Sequence, residues 1–247
     1  MTYADYGLYF GLTLVVSTVF AMGGVGSAIG LVPIFHLLEV PLNLAKALGL
    51  FINTASTVTA SIMNFRRGVL EIKFAVPLVL SILVATPLGA WSSQYVPVVW
   101  VQGLLIAFLI VAAALMIFSR RATVVTYERA WVLYAIGGSV GVISGMLGVG
   151  GGSLMMPVLI LLGYEAKKAA RAISFVIPFS SAGAFFTYLS FTKMDWTLLA
   201  VVGVAAIGGG YLGQRIMNER LKPAHVKKLI AVLLLLLAAK MIWNLSV

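Results

Sequence analysis

The sequence predicts an all-α polytopic membrane protein built from two inverted repeats, and three observations lead to this fold class. Hydrophobic residues make up 62% of the 247 residues and charged residues only 10%, a composition typical of integral membrane proteins. Several apolar runs reach the roughly 20 residues that a membrane-spanning helix requires. The same order of runs occurs twice, with glycine-rich stretches at matching places.

Each half begins with a long apolar run that is broken by glycines. Tyr6–Leu38 contains loop 1 (residues 23–27, GGVGS), and Trp131–Leu162 contains loop 2 (residues 148–153, GVGGGS). The 33 residues of the first run would form a helix of about 50 Å, which exceeds a hydrocarbon core of about 30 Å. We therefore predict two half-helices joined at each loop, as a bent span or a re-entrant hairpin.

Three runs of span length follow each broken run. They are Asn43–Asn64, Ile72–Tyr95 and Val98–Phe118 in the first half, and Ala166–Ser190, Trp196–Met217 and Ala224–Asn244 in the second. An offset of 124 positions relates Gly24 to Gly148 and Pro33 to Pro157. We predict a single membrane domain with a first repeat at residues 1–119, a cytoplasmic linker at 120–130 and a second repeat at 131–247.

Basic residues decide how the two repeats are oriented. They cluster in the links at 66–73, 120–129, 167–171 and 215–228, whereas the other links carry few. If the two broken runs are re-entrant, every basic link falls on the cytoplasmic side, as the positive-inside rule requires. Each repeat then crosses three times and the second copy is inverted. This predicts six full spans and two hairpins in a bacterial inner membrane, with both termini outside.

Charge and composition also exclude several classes of function. The net charge of +10 is explained by the basic links, so we expect no nucleic acid partner. Cysteine is absent and the two histidines, His36 and His225, are too few for a metal centre. Ser153 lacks a plausible catalytic base. We therefore expect no metal, no cofactor and no enzymatic activity.

The loops predict an anion site. A helix that begins inside the membrane exposes unpaired N–H groups and a partial positive charge, which bind anions without a charged side chain. All seven carboxylates lie at or near links, so an acidic cation pathway is disfavoured. The candidate substrate-binding residues are the small or neutral polar residues of the loops and of the helices after them: Gly24, Gly26, Ser27, Asn53, Ser56, Thr57, Gly150, Gly151, Gly152, Ser153 and Ser181.

Each of these assignments has a simpler structural alternative. The glycines would also allow close helix packing, and the serine and threonine hydroxyls would also bond back to their own helices. Lys46 and Arg171 occupy corresponding positions in the two halves, where they would attract or gate an anion, or extend to the membrane interface. His36 is a candidate for proton handling or an ordinary interfacial histidine.

Small residues four apart indicate close helix packing. Gly209 and Gly213 form one such pair, and Ala85 and Gly89 form the matching pair in the first half. Pairs of this kind let two helices approach closely, either within one protomer or across a homodimer.

These features together resemble a known family. The two glycine-rich loops followed by proline, the polar stretch 53–57 (NTAST), the Arg66-Arg67 pair and the Met194-Asp195-Trp196 segment are similar to the TauE/SafE sulfite exporter family of permeases. The resemblance covers nearly the whole chain and implies transport of small sulfur-containing or organic anions, such as sulfite or sulfoacetate. We expect a secondary transporter in contact with membrane lipid; an anion channel and a carrier of another small organic anion are the alternatives.

Overall fold

The fold is a bundle of α-helices in the order that the repeats predict. The computed structural model describes residues 3–22, 26–66, 72–118, 130–152, 155, 158–159, 166–219 and 223–246. Its helices in the first half are α1 (Tyr3–Met22), α2 (Ala28–Leu37), α3 (Leu42–Arg66), α4 (Ile72–Ser92) and α5 (Val98–Phe118). Those in the second half are α6 (Ala130–Leu147), α7 (Ala166–Leu189), α8 (Trp196–Glu219) and α9 (Pro223–Ser246).

The predicted spans and the predicted breaks are both confirmed. All six runs outside the broken ones are helices, and the largest difference in bounds is that α4 ends at Ser92 instead of Tyr95. The helix α1 ends at Met22 before loop 1, and α6 ends at Leu147 before loop 2.

The two arms of the first broken run differ in length. The helix α2 has 10 residues and is about 15 Å long, which is half a span. In contrast, α1 has 20 residues and α6 has 18, so each is long enough to cross a bilayer. The prediction of half-helices is therefore correct for α2 and wrong for α1 and α6. These two helices have the length of a full span, because their apolar sequence continues without a break up to the glycine loop.

Among the described residues, seven helices are long and apolar enough to span a membrane, namely α1 and α4 to α9. The helix α3 has 25 residues but carries more polar side chains, and it packs inside the bundle against α2, α7 and α8. All five tryptophans lie near a helix end and are 53–70% exposed, as in the aromatic belts at membrane interfaces. The protein is a multi-pass membrane protein.

Helix contacts between the two halves occur in equivalent pairs: exchanging each helix for its counterpart in the other half turns one contact of a pair into the other. The helix α4 packs on α6 just as α1 packs on α8, and α4 packs on α7 just as α3 packs on α8. The equivalent helices α3 and α7 contact each other, as do α5 and α9. This pattern is what a duplication related by a two-fold axis would produce. The inversion of the second copy and the sidedness of the termini stay predictions.

The small-residue pairs are used within the protomer. A Cβ at Gly89 would collide with the carbonyl of Val142 on α6, and a Cβ at Gly213 would collide with the carbonyl of Thr18 on α1. The two helix pairs therefore approach backbone to backbone. These glycines build the protomer, and the homodimer stays a prediction without support from them.

The start of α8 is fixed by Asp195. Its Oδ1 accepts hydrogen bonds from the backbone nitrogens of Thr197 (2.9 Å) and Leu198 (3.0 Å), which caps the helix. Its Oδ2 accepts a hydrogen bond from the Tyr6 hydroxyl at 3.1 Å and so ties α8 to α1. The backbone bond from Leu198, followed by the bonds from Tyr6 and Thr197, lowers the pKa of Asp195 below its usual value.

Candidate functional site

Loop 2 reverses the chain at glycines whose backbone conformation few other residues adopt. Gly148 has φ +71° and Gly150 has φ +73°, in the left-handed region that favours glycine. The Val149 nitrogen bonds to the Ser144 carbonyl at 3.1 Å and closes the end of α6. The Met155 nitrogen bonds to the Gly151 carbonyl at 3.2 Å, so a new helical turn begins at Gly151.

Loop 1 leads in a similar way into α2. The Ser27 carbonyl accepts hydrogen bonds from Gly30 at 3.2 Å and from Leu31 at 3.0 Å, the first bonds of α2. Its hydroxyl makes no side-chain cap on that helix. Instead, the Ser27 Oγ lies 3.4 Å from the Ser56 Oγ on α3. The Ser27 hydroxyl therefore faces α3 and does not cap α2.

The two loops meet at the side chain of Asn53 on α3. A Cβ at Gly26 would collide with the Asn53 amide oxygen, and a Cβ at Gly150 would lie 2.6 Å from the amide nitrogen. The Asn53 Nδ2 donates a hydrogen bond to the Ser181 Oγ of α7 at 2.7 Å. Asn53 is 1% exposed and Ser181 is fully buried. Loop 1, loop 2, α3 and α7 thus supply one residue each to a single buried cluster.

Other hydroxyls around this cluster are tied to backbone. The Ser180 Oγ accepts a hydrogen bond from the Gly151 nitrogen at 3.1 Å and donates to the Ile177 carbonyl at 3.0 Å. Ser56 and Thr57 both donate to the Asn53 carbonyl, at 3.2 Å and 2.5 Å. These three hydroxyls therefore form hydrogen bonds to carbonyls of their own helices, as the structural alternative predicts. Their oxygens still have acceptor capacity, and Ser181 and Ser27 have no such bond to their own helix.

The cluster lies deep in the bundle. Asn53 is eleven residues into α3, which begins at Leu42 and has 25 residues. At 1.5 Å per residue this places it about 16 Å from one end of a helix of about 37 Å. The position is close to the middle of a membrane-spanning bundle.

Two helix ends give the cluster a positive electrostatic environment. The start of α2 at loop 1 and the helical turn that begins at Gly151 both present the positive end of a helix. Within the part of the chain that the structure describes, no aspartate or glutamate is buried. The arrangement is suited to a small anion that is held by N–H and neutral polar groups.

Lys46 is the one buried charged side chain among those described, at 1% exposure. Its Nζ donates a hydrogen bond to the Ser93 Oγ at 3.4 Å and lies 5.3 Å from the ring centre of Tyr188. Its aliphatic part occupies the space that a Cβ at Gly148 would need. The side chain therefore points into the bundle under loop 2, and the interpretation that it extends to the membrane interface is wrong.

His36 lies at the far end of α2 from the cluster. Its Nδ1 is 3.3 Å from the Val40 carbonyl, and its Nε2 is 2.6 Å from the Gln102 side-chain amide on α5. Both ring nitrogens are thus in contact with polar groups. His36 lines a cavity of about 290 Å³ together with Glu39, Gln102, Asn244 and three apolar residues, and it does not belong to the loop cluster.

Several predicted residues contribute in another way or cannot be placed. A Cβ at Gly151 would meet Ile82, and one at Gly152 would meet Ile177, so these two glycines also allow close packing. Gly24, Ser153 and the side chain of Arg171 lie outside the described residues.

Sequence reasoning missed Ser93, Tyr188 and Gln102. The Tyr188 hydroxyl is within 3.0 Å of the Ser93 Oγ and of two carbonyls at the end of α6. These residues meet Lys46 and His36 only through packing of distant helices, and no local motif marks them. Among the described residues, no three histidine, aspartate or glutamate side chains group as metal ligands.

Comparison with known proteins agrees with the resemblance seen in the loops. The family described as Sulfite exporter TauE/SafE matches residues 9–241, nearly the whole chain. The chain belongs to this family. The matched residues include both glycine loops and the polar stretch of α3.

Several proteins related to the chain are named as probable membrane transporters. The chain is 31% identical over 121 residues to the probable membrane transporter protein YunE of Bacillus subtilis. This alignment covers 48% of the chain and 44% of YunE. It is 23% identical over 207 residues to the probable membrane transporter protein YdhB of the same species, and this alignment covers 79% of the chain and 82% of YdhB. A probable membrane transporter of Methanocaldococcus jannaschii is 26% identical over 103 residues, 38% of each chain. The matches to YunE and to the Methanocaldococcus protein thus span less than half of those proteins.

Proposed function

We propose that the protein is a secondary transporter that moves small sulfur-containing anions, such as sulfite or an organosulfonate, across the membrane. The observation that carries this proposal is the meeting of both glycine loops at Asn53 and Ser181, where a Cβ on Gly150 would lie 2.6 Å from each side chain. Only glycines let two helix starts and an amide approach one buried point. The family membership and the names of the relatives support a transport function.

The burial of the cluster favours a carrier over a channel. Asn53, Ser27, Ser56 and Ser181 are each at most 3% exposed, so the described side chains of the site face neither side of the membrane. An occluded site of this kind fits alternating access, in which helices rearrange to expose one bound ion to each side in turn. A channel would need a continuous polar path past the same residues.

Lys46 supplies the long-range charge in this proposal. It lies seven residues before Asn53 on α3, which places both on one face of the helix about 10 Å apart along its axis. Loop 2 covers both residues, with Gly148 against Lys46 and Gly150 against Asn53. An anion at Asn53 is therefore attracted by a buried ammonium that does not need to touch it.

The wider assignment follows from the same proposal. The two repeats are inverted about an axis in the membrane plane, the linker at 120–130 and Arg171 face the cytoplasm, and the bacterial inner membrane holds the protein. Asp5 and Ser246 then lie outside. Cysteine labelling at these two positions tests the orientation, since modification from the cytoplasmic side alone contradicts it.

Transport by purified protein is the test of the function. The protein is reconstituted in liposomes that contain labelled sulfite, sulfoacetate or taurine, and efflux is followed with and without competing unlabelled anion. A carrier gives saturable flux that other substrates slow. Flux that rises linearly with concentration, together with unitary currents in planar bilayers, supports a channel, and no flux for any of these compounds contradicts the substrate class.

A further inference from the structure

The amide of Asn53 has one unpaired atom. Its nitrogen donates to the Ser181 Oγ at 2.7 Å, whereas its Oδ1 is buried and has no hydrogen-bond partner among the described residues. An unpaired buried acceptor destabilises the folded protein by about 1–3 kcal/mol, so such groups are uncommon. The Asn53 oxygen is therefore the atom of this cluster that an incoming donor would satisfy.

The direction of this oxygen places it inside the proposed anion site. The contact with Ser181 fixes the nitrogen on the α7 side, and the oxygen then faces loop 1, where a Cβ at Gly26 would collide with it. The same two side chains lie against Gly150 of loop 2. An anion between the loops thus meets donors from the helix starts and, at Asn53, an acceptor.

An acceptor at this place conflicts with a ligand that has acceptors alone. A fully deprotonated oxyanion would place a negative oxygen against the carbonyl oxygen of Asn53, and repulsion would oppose binding. A ligand with its own donor removes the repulsion and also pairs the buried oxygen. Recognition of a donor by a buried polar group discriminates strongly against analogues that lack it, because the analogue leaves the group unpaired.

We propose that the site selects anions that also carry a hydrogen-bond donor, such as a hydroxyl group, an ammonium group or a protonated oxyanion, and that Asn53 Oδ1 reads this donor. The inference rests on the proposed function, since it concerns the same site. It divides the possible substrates into anions that carry such a donor and anions that do not. In the first class, the charged head binds to the N–H groups of the loops and the donor binds to Asn53.

A pair of compounds of equal size separates these classes. In 2-hydroxyethanesulfonate a hydroxyl group stands where propane-1-sulfonate has a methyl group, and the charged heads are identical. Inhibition constants are measured for both in the liposome efflux assay with the wild-type protein. We expect the hydroxy compound to bind at least about ten-fold more tightly, as the pairing of one buried acceptor implies.

Two variants assign the preference to Asn53. Asn53→Leu removes the acceptor with little change in volume, and the ratio of the two inhibition constants is expected to fall to about one or below. Thr54→Val is the matched control, because its hydroxyl bonds to the Leu50 carbonyl of its own helix at 2.9 Å, and it keeps the wild-type ratio. Size-exclusion chromatography and thermal melting establish that each variant is folded, and the wild-type ratio decides if Asn53→Leu does not fold.

The outcomes separate this inference from the function on which it rests. Equal binding of the two compounds to the wild-type protein overturns the inference, because a resident water or the opposite amide orientation then satisfies Asn53, and sulfonate transport stands. A preference that persists in Asn53→Leu also overturns it. Failure of both compounds to inhibit, together with absence of sulfite flux, contradicts the proposed function itself.

Discussion

Substitution of Gly150 by alanine tests the site at the point where the structure leaves the least room. Gly150 has φ +73°, and this left-handed conformation costs a residue with a Cβ about 1–2 kcal/mol. The new methyl carbon would lie 2.6 Å from the Asn53 nitrogen and 2.6 Å from the Ser181 oxygen. Contacts of this kind are comfortable at about 3.5 Å, so both side chains must move by about 1 Å.

The two consequences of this change fall on different measurements. The backbone strain lowers the free energy of unfolding, whereas the displacement of loop 2 from Asn53 and Ser181 weakens the hydrogen bonds from the loop N–H groups to the bound anion. A hydrogen bond to a charged group contributes about 1.5–3 kcal/mol, which corresponds to a loss of affinity of about 10- to 150-fold. Gly150→Ala is therefore expected to reach the membrane and to bind and transport the anion much more weakly.

The assay compares efflux per amount of folded protein. Variants are purified by size exclusion, the monodisperse fraction is reconstituted, and initial rates are measured over a range of substrate concentrations. Gly138→Ala on α6 is the matched control, because its added Cβ has no described atom within 4 Å apart from the nearby backbone of its own helix. Wild-type affinity and rate in well-folded Gly150→Ala would refute the placement of the anion between the loops.

Three further substitutions have effects that the structure specifies. Lys46→Met is expected to weaken anion binding at low salt by about 15-fold. This is the effect of a unit charge at a separation of about 10 Å, the helical rise between Lys46 and Asn53, which corresponds to roughly 1.7 kcal/mol at an effective dielectric constant of 20. The melting temperature of this variant should not fall, because a buried charge is removed. Asp195→Ala should lower the free energy of unfolding by about 1 kcal/mol through loss of the cap. Because the pKa of Asp195 is lowered in the folded state, this difference is complete above about pH 4 and disappears as the pH falls through the folded-state pKa, as melting curves at several pH values would show. Gly145→Ala should lower the free energy of unfolding by about 1–3 kcal/mol because its Cβ would collide with the Thr86 carbonyl, while Gly138→Ala on the same helix is neutral.

The fold was predictable where bilayer thickness and glycine chemistry act locally. Span lengths follow from hydrophobic thickness, and α5 has the predicted bounds Val98–Phe118. The breaks follow from the glycines, because the φ values of Gly148 and Gly150 are open to few other residues. The length of α1 was not predictable in this way, since an apolar run gives no signal for whether its first arm spans half or all of the membrane.

The site was predictable in its parts and not in its assembly. Composition and repeat position indicated Asn53, Ser181 and Gly150, but their contact joins residues 128 positions apart and depends on how α3 packs on α7. Lys46 shows the same limit. A lysine one turn into a helix fits the membrane interface or the interior equally well by sequence, and only the positions of Ser93 and Tyr188 show that it is buried.

The location of the bound anion tests the central claim most directly. The protein is crystallised with a bromine-labelled sulfonate, and the bromine and the sulfur are located by anomalous diffraction. We predict that the sulfonate group lies between the two loops, within hydrogen-bonding distance of their backbone nitrogens and next to Asn53 and Ser181. A sulfonate found only in the cavity lined by His36 and Gln102, with the loop cluster unchanged, would contradict the account.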